Sequence, residues 1–194
     1  MQPLAEMPFI AGHPALDFVN TAEERRHPEA GDALLTPADL RHWGQRYGLI
    51  TRSAARHEDD GAELEQAIDA RELLYAMFFA RVHTRPLPPG TPARLGELAA
   101  SAYGAARLQP RPDRTVSWSW SRSELATIRH IAVTTGIELL HTAPSPRLKQ
   151  CPGEHCGWFF HDTTKRGNRR WCSMDECGQD AKNRKRRTTS TPDR

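Results

Sequence analysis

All four cysteines of this 194-residue chain fall between positions 151 and 177, and they come in two C-x4-C pairs, Cys151/Cys156 and Cys172/Cys177. Clustering of this kind has few physical solutions. Disulfides do not persist in a reducing compartment, whereas paired thiolates supply the four soft ligands that a tetrahedral zinc ion prefers. Burial of the thiols by packing alone is a weak alternative. The interval between the pairs carries Lys165, Arg166, Arg169 and Arg170 and is too polar to form a core. His155 and His161 compete as ligands but fit a paired arrangement less well than the thiols. Four thiolates also fill the coordination shell, so the expected Zn2+ is a single structural ion with no position for a reactive water.

The residues around the pairs suggest how the site is built. Gly153 and Gly157 allow the first pair to fold back as a knuckle, and Ser173-x-x-Glu176 is a capping box that opens a helix at the second pair. Trp158–Asp162 and Arg169–Trp171 read as the arms of a β-hairpin joined by Thr163–Asn168, with Gly167-Asn168 in the turn. Knuckle, hairpin and ligand-bearing helix together make a treble-clef-like finger.

Charge concentrates on the same segment. Residues 147–194 hold 12 Lys+Arg against 6 Asp+Glu, while residues 1–146 hold 15 against 18. A basic end on a mildly acidic body is expected to meet a polyanion. The candidate nucleic-acid contacts are Arg166, Arg169 and Arg170 on the hairpin and Lys182, Arg184, Lys185 and Arg186 on the helix. On a helical wheel Cys177, Ala181 and Arg184 face the metal, and Gln179, Lys182, Lys185 and Arg186 face away.

Residues 1–142 read as a mostly α body. Thr36-Pro37 starts a helix through Leu40, Trp43 and Tyr47, which Gly48 ends. The longest helix spans about 62–82, with Leu64, Ala67, Ile68, Leu74, Phe78 and Val82 as its apolar stripe. Thr91-Pro92 starts a third helix in the same way. Alternation of Leu108, Val116, Trp118 and Trp120 about Pro110–Asp113 predicts a small β-hairpin, and Ser121-x-x-Glu124 a capping box before a last helix. Residues 143–147 make a proline-stiffened linker, and 148–194 form the finger.

No phosphate-cradling glycine loop, paired-histidine zinc motif or nucleophile elbow is present, so the chain is not expected to be an enzyme. Arg71 interrupts the apolar stripe of the long helix, and Asp17 and Asn20 lie in an unusually apolar N-terminal run. These three would form a ligand pocket if they met. The simpler reading is a buried pair between Arg71 and Asp17, or a snorkelling Arg71. The N-terminus has neither the basic start nor the apolar run of a secretory signal, and no stretch is long enough to span a bilayer, so a cytoplasmic location and no membrane partner are expected.

The run Cys151-x4-Cys156-Gly157-Trp158-Phe159-Phe160-His161-Asp162, followed by Arg169-Arg170-Trp171-Cys172-Ser173-Met174-x2-Cys177-Gly178, resembles the CGNR zinc finger. Leu16-Asp17-Phe18-Val19-Asn20-Thr21 resembles the opening of the ABATE domain that precedes this finger in bacterial proteins described as stress-induced transcriptional regulators. The resemblance implies zinc ligation by the four cysteines and a DNA role for Arg169, Arg170, Lys182, Arg184, Lys185 and Arg186. One departure stands out: this chain reads Cys177-Gly178-Gln179-Asp180 where the family name spells Cys-Gly-Asn-Arg, and Asp180 could pair with Arg184 one turn on.

The expected function is therefore transcription regulation, with the finger binding DNA and the helical body sensing a small-molecule effector or forming a homodimer. Two other readings remain open at this stage. The finger could be an RNA- or protein-binding module, or the body could bind a small molecule with the finger as structural support. In each case loss of zinc is expected to unfold the finger and spare the body.

Overall fold

The computed structural model describes residues 4, 6–23, 25–26, 31–54, 57–142 and 146–189. Residues 143–145 of the expected linker and 190–194 of the expected finger lie outside them. The helices are α1 (Pro14–Val19), α2 (Pro37–Tyr47), α3 (Asp60–His83), α4 (Thr91–Gly104), α5 (Ala126–Thr142) and α6 (Gln179–Thr189). Two antiparallel pairs of short strands complete the fold: β1 (Arg107–Pro110) with β2 (Val116–Ser119), and β3 (Leu148–Gln150) with β4 (Phe159–His161). The mostly α body with its small hairpin, and the cysteine cluster beyond it, match the expected fold class.

Most helix boundaries follow local chemistry. Thr36 caps α2 through a complete capping box with Asp39, Pro37 occupies its first turn, and Gly48 closes it in the left-handed region at φ 80°. Two starts differ from expectation. Helix α4 is preceded by Gly90 at φ 79°, so Thr91 is its first residue and not its cap. Ser121–Glu124 forms a turn, in which Glu124 N–H and the Thr127 hydroxyl both donate to Ser121 O. The capping box is thereby displaced, and α5 begins at Ala126.

Helix α1 is short but buried from Ala15 to Val19, with His13 as its cap. It lies among α3, α5 and β4. At Gly136 of α5 a Cβ would stand 2.8 Å from a Leu74 methyl and 3.2 Å from Ala15 Cβ, so only glycine permits this approach of three helices. Trp43, Phe18, Phe78, Phe159 and Phe160 are all fully enclosed, and they form one continuous core. The last two belong to the cysteine-bearing segment. Finger and body share their interior.

The hairpin expected within the finger is built from different residues. Phe159–His161 pairs with Leu148–Gln150, with Gln150 opposite Phe159, and Arg169–Trp171 forms no strand. The cause is Asp162, whose buried carboxylate takes the Lys149 ammonium at 2.7 Å, Thr164 N–H at 3.0 Å and hydroxyl at 2.6 Å, and Arg169 N–H at 2.8 Å. These bonds curl residues 162–169 around one anion instead of extending them. Arg147, placed in the linker by sequence, donates to the carbonyls of Asp162 and Thr164.

Candidate metal centre and basic face

The knuckle between β3 and β4 brings Cys151 and Cys156 together, and the segment entering α6 brings Cys172 and Cys177. The four Sγ atoms lie within 4.8 Å of one another, at 3.5 Å for Cys156–Cys172 and 3.7 Å for Cys172–Cys177. A tetrahedral ion with Zn–S bonds of about 2.3 Å holds its sulfurs about 3.8 Å apart, so the cluster has the dimensions of one zinc ion. The separations are far beyond a disulfide bond, and all four cysteines are free.

Two further features fit a metal. A Cβ on Gly153 would approach Cys177 Sγ to 3.1 Å and Cys156 Cβ to 3.0 Å, so the knuckle is packed tightly around the sulfurs. The crowding also couples the protons of the four thiols. Hydrogen bonds from Cys156 and Cys172 draw Cys151 down to about 2, and the bond to Cys151 raises Cys156 and Cys172 well above the usual thiol range. Burial raises Cys177. Four adjacent thiolates need a dication, and these residues are able to hold one zinc ion.

Ser173 Oγ accepts Glu176 N–H at 3.3 Å, as the capping pattern requires. The turn that follows, Met174–Gly178, is a π turn and not α. Single π turns recur where a side chain must be re-aimed, and this one carries Cys177. Its continuation, α6, has two faces. Arg184 points to the metal side and pairs with Glu154 at 2.9 Å, replacing the expected pair with Asp180. Asp180 itself lines the cavity beside Cys156, Cys172 and Cys177. Gln179, Lys182, Lys185 and Arg186 are exposed and line one shallow groove on the other face.

The remaining candidate cations separate into two kinds. Arg166 and Arg170 are exposed, the latter over the Trp171 ring at 5.0 Å. Arg169 is half-buried and points inward. Its guanidinium donates to the carbonyls of Ile10 at 2.9 Å, Trp171 at 3.0 Å and Cys172, and rests 4.6 Å over the Phe160 ring. Those bonds tie the second cysteine pair to the N-terminal segment, and they engage the Nε and Nη2 donors of the guanidinium.

Asp17, Asn20 and Arg71 do not share a pocket. Asp17 accepts Ala11 N–H at 3.0 Å and the Tyr47 hydroxyl at 3.2 Å, and burial raises its carboxyl to about 6. Asn20 grips Phe159 from both sides, accepting its N–H and donating to its carbonyl at 2.9 Å each. Arg71 forms a two-pronged pair with Asp32 at 2.6 and 2.7 Å and also meets Glu72 and Thr21. In place of the expected Arg71–Asp17 pair, Asp32 holds Arg71, and Asp17 is bonded to Ala11 and Tyr47. Sequence gave no sign of Asp32, Lys149 or Asp162 as partners, since nothing in their spacing marks them.

The N-terminal motif thus docks the finger. His161 N–H donates to Ala11 O at 2.8 Å, Arg26 to Gly153 O at 3.2 Å, and His83 Nε2 lies 2.7 Å from Gln150 Oε1. These bonds and the shared core join the body to the metal centre among the described residues.

Two sequence families match. Residues 12–149 match ABATE, described as "Putative stress-induced transcription regulator", and residues 147–189 match the CGNR zinc finger. The matches meet at β3, the strand in which the body's last residues become the finger's first. A search of curated proteins found no relative. No helix among the described residues is long and apolar enough to cross a membrane. The chain belongs to the ABATE family and carries a CGNR zinc finger over residues 147–189.

Proposed function

We propose that this protein is a DNA-binding transcription regulator in which a structural zinc ion fixes α6 and presents Gln179, Lys182, Lys185 and Arg186 to duplex phosphates. The observation that carries the reading is the division of α6 into two faces. Cys177 and Arg184 are committed to the metal side, and the cations at 182, 185 and 186 are gathered on the exposed side. A helix anchored at one end by a metal holds such cations in a fixed array, which favours a fixed polyanion over bulk counterions. Arg166 and Arg170 extend the basic surface. Arg169 is assigned to support of the fold and not to contact.

On this reading the zinc has no catalytic role, because four thiolates leave it no open position. Reduced thiols at the centre suit a cytoplasmic location. Specific base readout would come from Gln179 or Asn183, which are joined at 3.2 Å on the same helix. The test is fluorescence anisotropy of the full chain against duplex DNA and single-stranded RNA, at several salt concentrations, with and without chelator. Zinc-dependent, salt-sensitive preference for duplex supports the reading. Equal or tighter binding to RNA, or none to either polymer at moderate salt, refutes it.

A further inference from the structure

Helix α3 closes on a residue that local geometry disfavours. Thr84 caps it at φ 49° and ψ 50°, in the left-handed region. Helix α2 closes in the same conformation, but with Gly48. Glycine is the usual choice because a β-branched side chain crowds the backbone there. The backbone at this end does only what any helix end requires. Thr84 N–H and Arg85 N–H both donate to Ala80 O, the latter at 2.9 Å, and glycine would serve those bonds equally well. The Thr84 hydroxyl forms no hydrogen bond among the described residues. The threonine side chain is therefore strained without return to the fold, which directs attention to what it faces.

Thr84 lines a groove of about 560 Å³ between the end of α3, the loop after it and α5. Met77 and Ala80 of α3 and Leu140 of α5 give it an apolar floor, and Leu87, 36 % exposed, forms one side. Arg81 and Arg85 line the same groove, and among the described residues no acid does. The Arg85 side chain forms no ion pair or hydrogen bond among the described residues. A cavity of this size, with mostly apolar walls and a few polar groups, has the make-up of a small-molecule site.

The lining decides what can occupy it. Both ionisable groups are arginines, which stay charged at any physiological pH, so the groove is complementary to an anion. Inorganic phosphate would meet the arginines but leave Met77, Ala80 and Leu140 uncovered. A neutral hydrocarbon would cover the floor and strip water from the guanidinium groups without replacing it. An acid with an apolar chain satisfies both parts, because a guanidinium donates two parallel hydrogen bonds to a carboxylate. The groove also adjoins the metal-bearing segment: His83, the residue before Thr84, meets Gln150 of β3 at 2.7 Å.

We propose that the groove at the end of α3 binds an amphipathic carboxylate. Its apolar chain lies on Met77, Ala80, Leu140 and Leu87, and its carboxylate is held by Arg85 and Arg81 with the Thr84 hydroxyl as a further donor. Retention of threonine at a left-handed position then has a reason, since glycine would relieve the backbone and lose the donor. The proposal does not rest on DNA binding, and its test reads ligand binding alone.

The experiment is calorimetric titration of the full, zinc-loaded chain with decanoate below its micellar concentration. Saturable binding of one decanoate per chain, with a Kd of about 1 mM or tighter, is expected. From hexanoate to decanoate each added methylene should tighten binding by about twofold to fourfold. Decyltrimethylammonium, which has the same chain and the opposite charge, should not bind. Arg85→Ala and Leu87→Asp should each weaken decanoate by about tenfold or more, and both should keep the parent's circular dichroism because both residues are exposed. Arg111→Ala with Arg114→Ala, at exposed arginines outside the groove, should leave binding unchanged. Thr84→Gly should weaken binding severalfold without lowering the melting temperature. No saturable binding of decanoate overturns the proposal, as does binding indifferent to both Arg85→Ala and Leu87→Asp. Equal binding of the ammonium overturns the carboxylate, and a flat chain-length series overturns the apolar floor. A lower melting temperature for Thr84→Gly overturns the argument from backbone strain.

Discussion

Asn20→Ala should loosen the whole molecule, although Asn20 touches neither the metal nor a charged group. Its side chain is 2 % exposed and makes two hydrogen bonds of 2.9 Å, one to each backbone group of Phe159. Truncation leaves a buried N–H and a buried C=O without these partners. An orphaned buried group costs about 1–3 kcal/mol, so the loss is about 2–5 kcal/mol after partial relief by water. In a chain of this length each kcal/mol lowers the melting temperature by about 2–4 °C, which gives a fall of about 5–15 °C. The assay is thermal unfolding of the zinc-loaded full chain by circular dichroism, with amide exchange at Phe159 as the local readout. Arg26→Ala, which removes a part-buried hydrogen bond from an exposed side chain to Gly153, is the control and should cost no more than about 1 kcal/mol. Equal melting temperatures for the Asn20 variant and its parent would refute the clamp, and with it the account of why the N-terminal motif contains an asparagine.

Three other substitutions probe separate parts of the structure. Gly153→Ala removes no ligand but sets a methyl 3.1 Å from Cys177 Sγ; chelator competition should show zinc affinity reduced by about tenfold or more, as when the surroundings of a metal ligand are disturbed. Lys149→Met leaves the Asp162 carboxylate, which is fully enclosed, without its cation, and denaturant unfolding should show a loss of about 3–5 kcal/mol. Asp17→Asn should change the pH dependence of stability. Burial raises the Asp17 carboxyl from 3.8 to about 6, so the folded state binds the proton more tightly than the unfolded chain. Its contribution is full below about pH 4 and lost as pH rises through 6, so the parent should lose stability relative to the variant across that window. His13, lowered to about 4 chiefly by burial, works in the opposite sense in both proteins and cancels in the difference. A difference between parent and variant that does not vary with pH would contradict the buried, proton-retaining carboxyl.

What could be read from the sequence was whatever depends on residues close together along the chain. The cap, proline and glycine of α2, the apolar stripe of α3 and the β1–β2 hairpin are local patterns, and each formed where its pattern lies. The metal site was legible because four thiols have only one economical arrangement, however the intervening chain runs. Strand choice inside the finger was not legible. Residues 158–162 and 169–171 both alternate acceptably, and the outcome turned on Lys149 reaching Asp162, a contact across 13 positions. The roles of Asn20 and Arg169 were hidden for a similar reason. A polar side chain reads as a candidate binding group until the backbone that saturates it is seen, and here that backbone lies 139 and 159 residues away. Basic residues carry the same ambiguity: Arg169 and Lys182 look alike in sequence, but one braces the metal loops and the other faces solvent.

The central claim is that the exposed face of α6 meets duplex phosphates, and the salt dependence of binding tests it most directly. Duplex affinity of the full chain would be measured by anisotropy from low to moderate salt, for the parent and for Lys182, Lys185 and Arg186 together changed to Ala. Each phosphate contact contributes about 0.9 to the slope of log affinity against log salt, so loss of three should flatten the slope by about 2–3. Zinc content and melting temperature should be unchanged, because none of the three touches the core. An unchanged slope, at whatever affinity, would remove α6 from the contact surface and contradict the account.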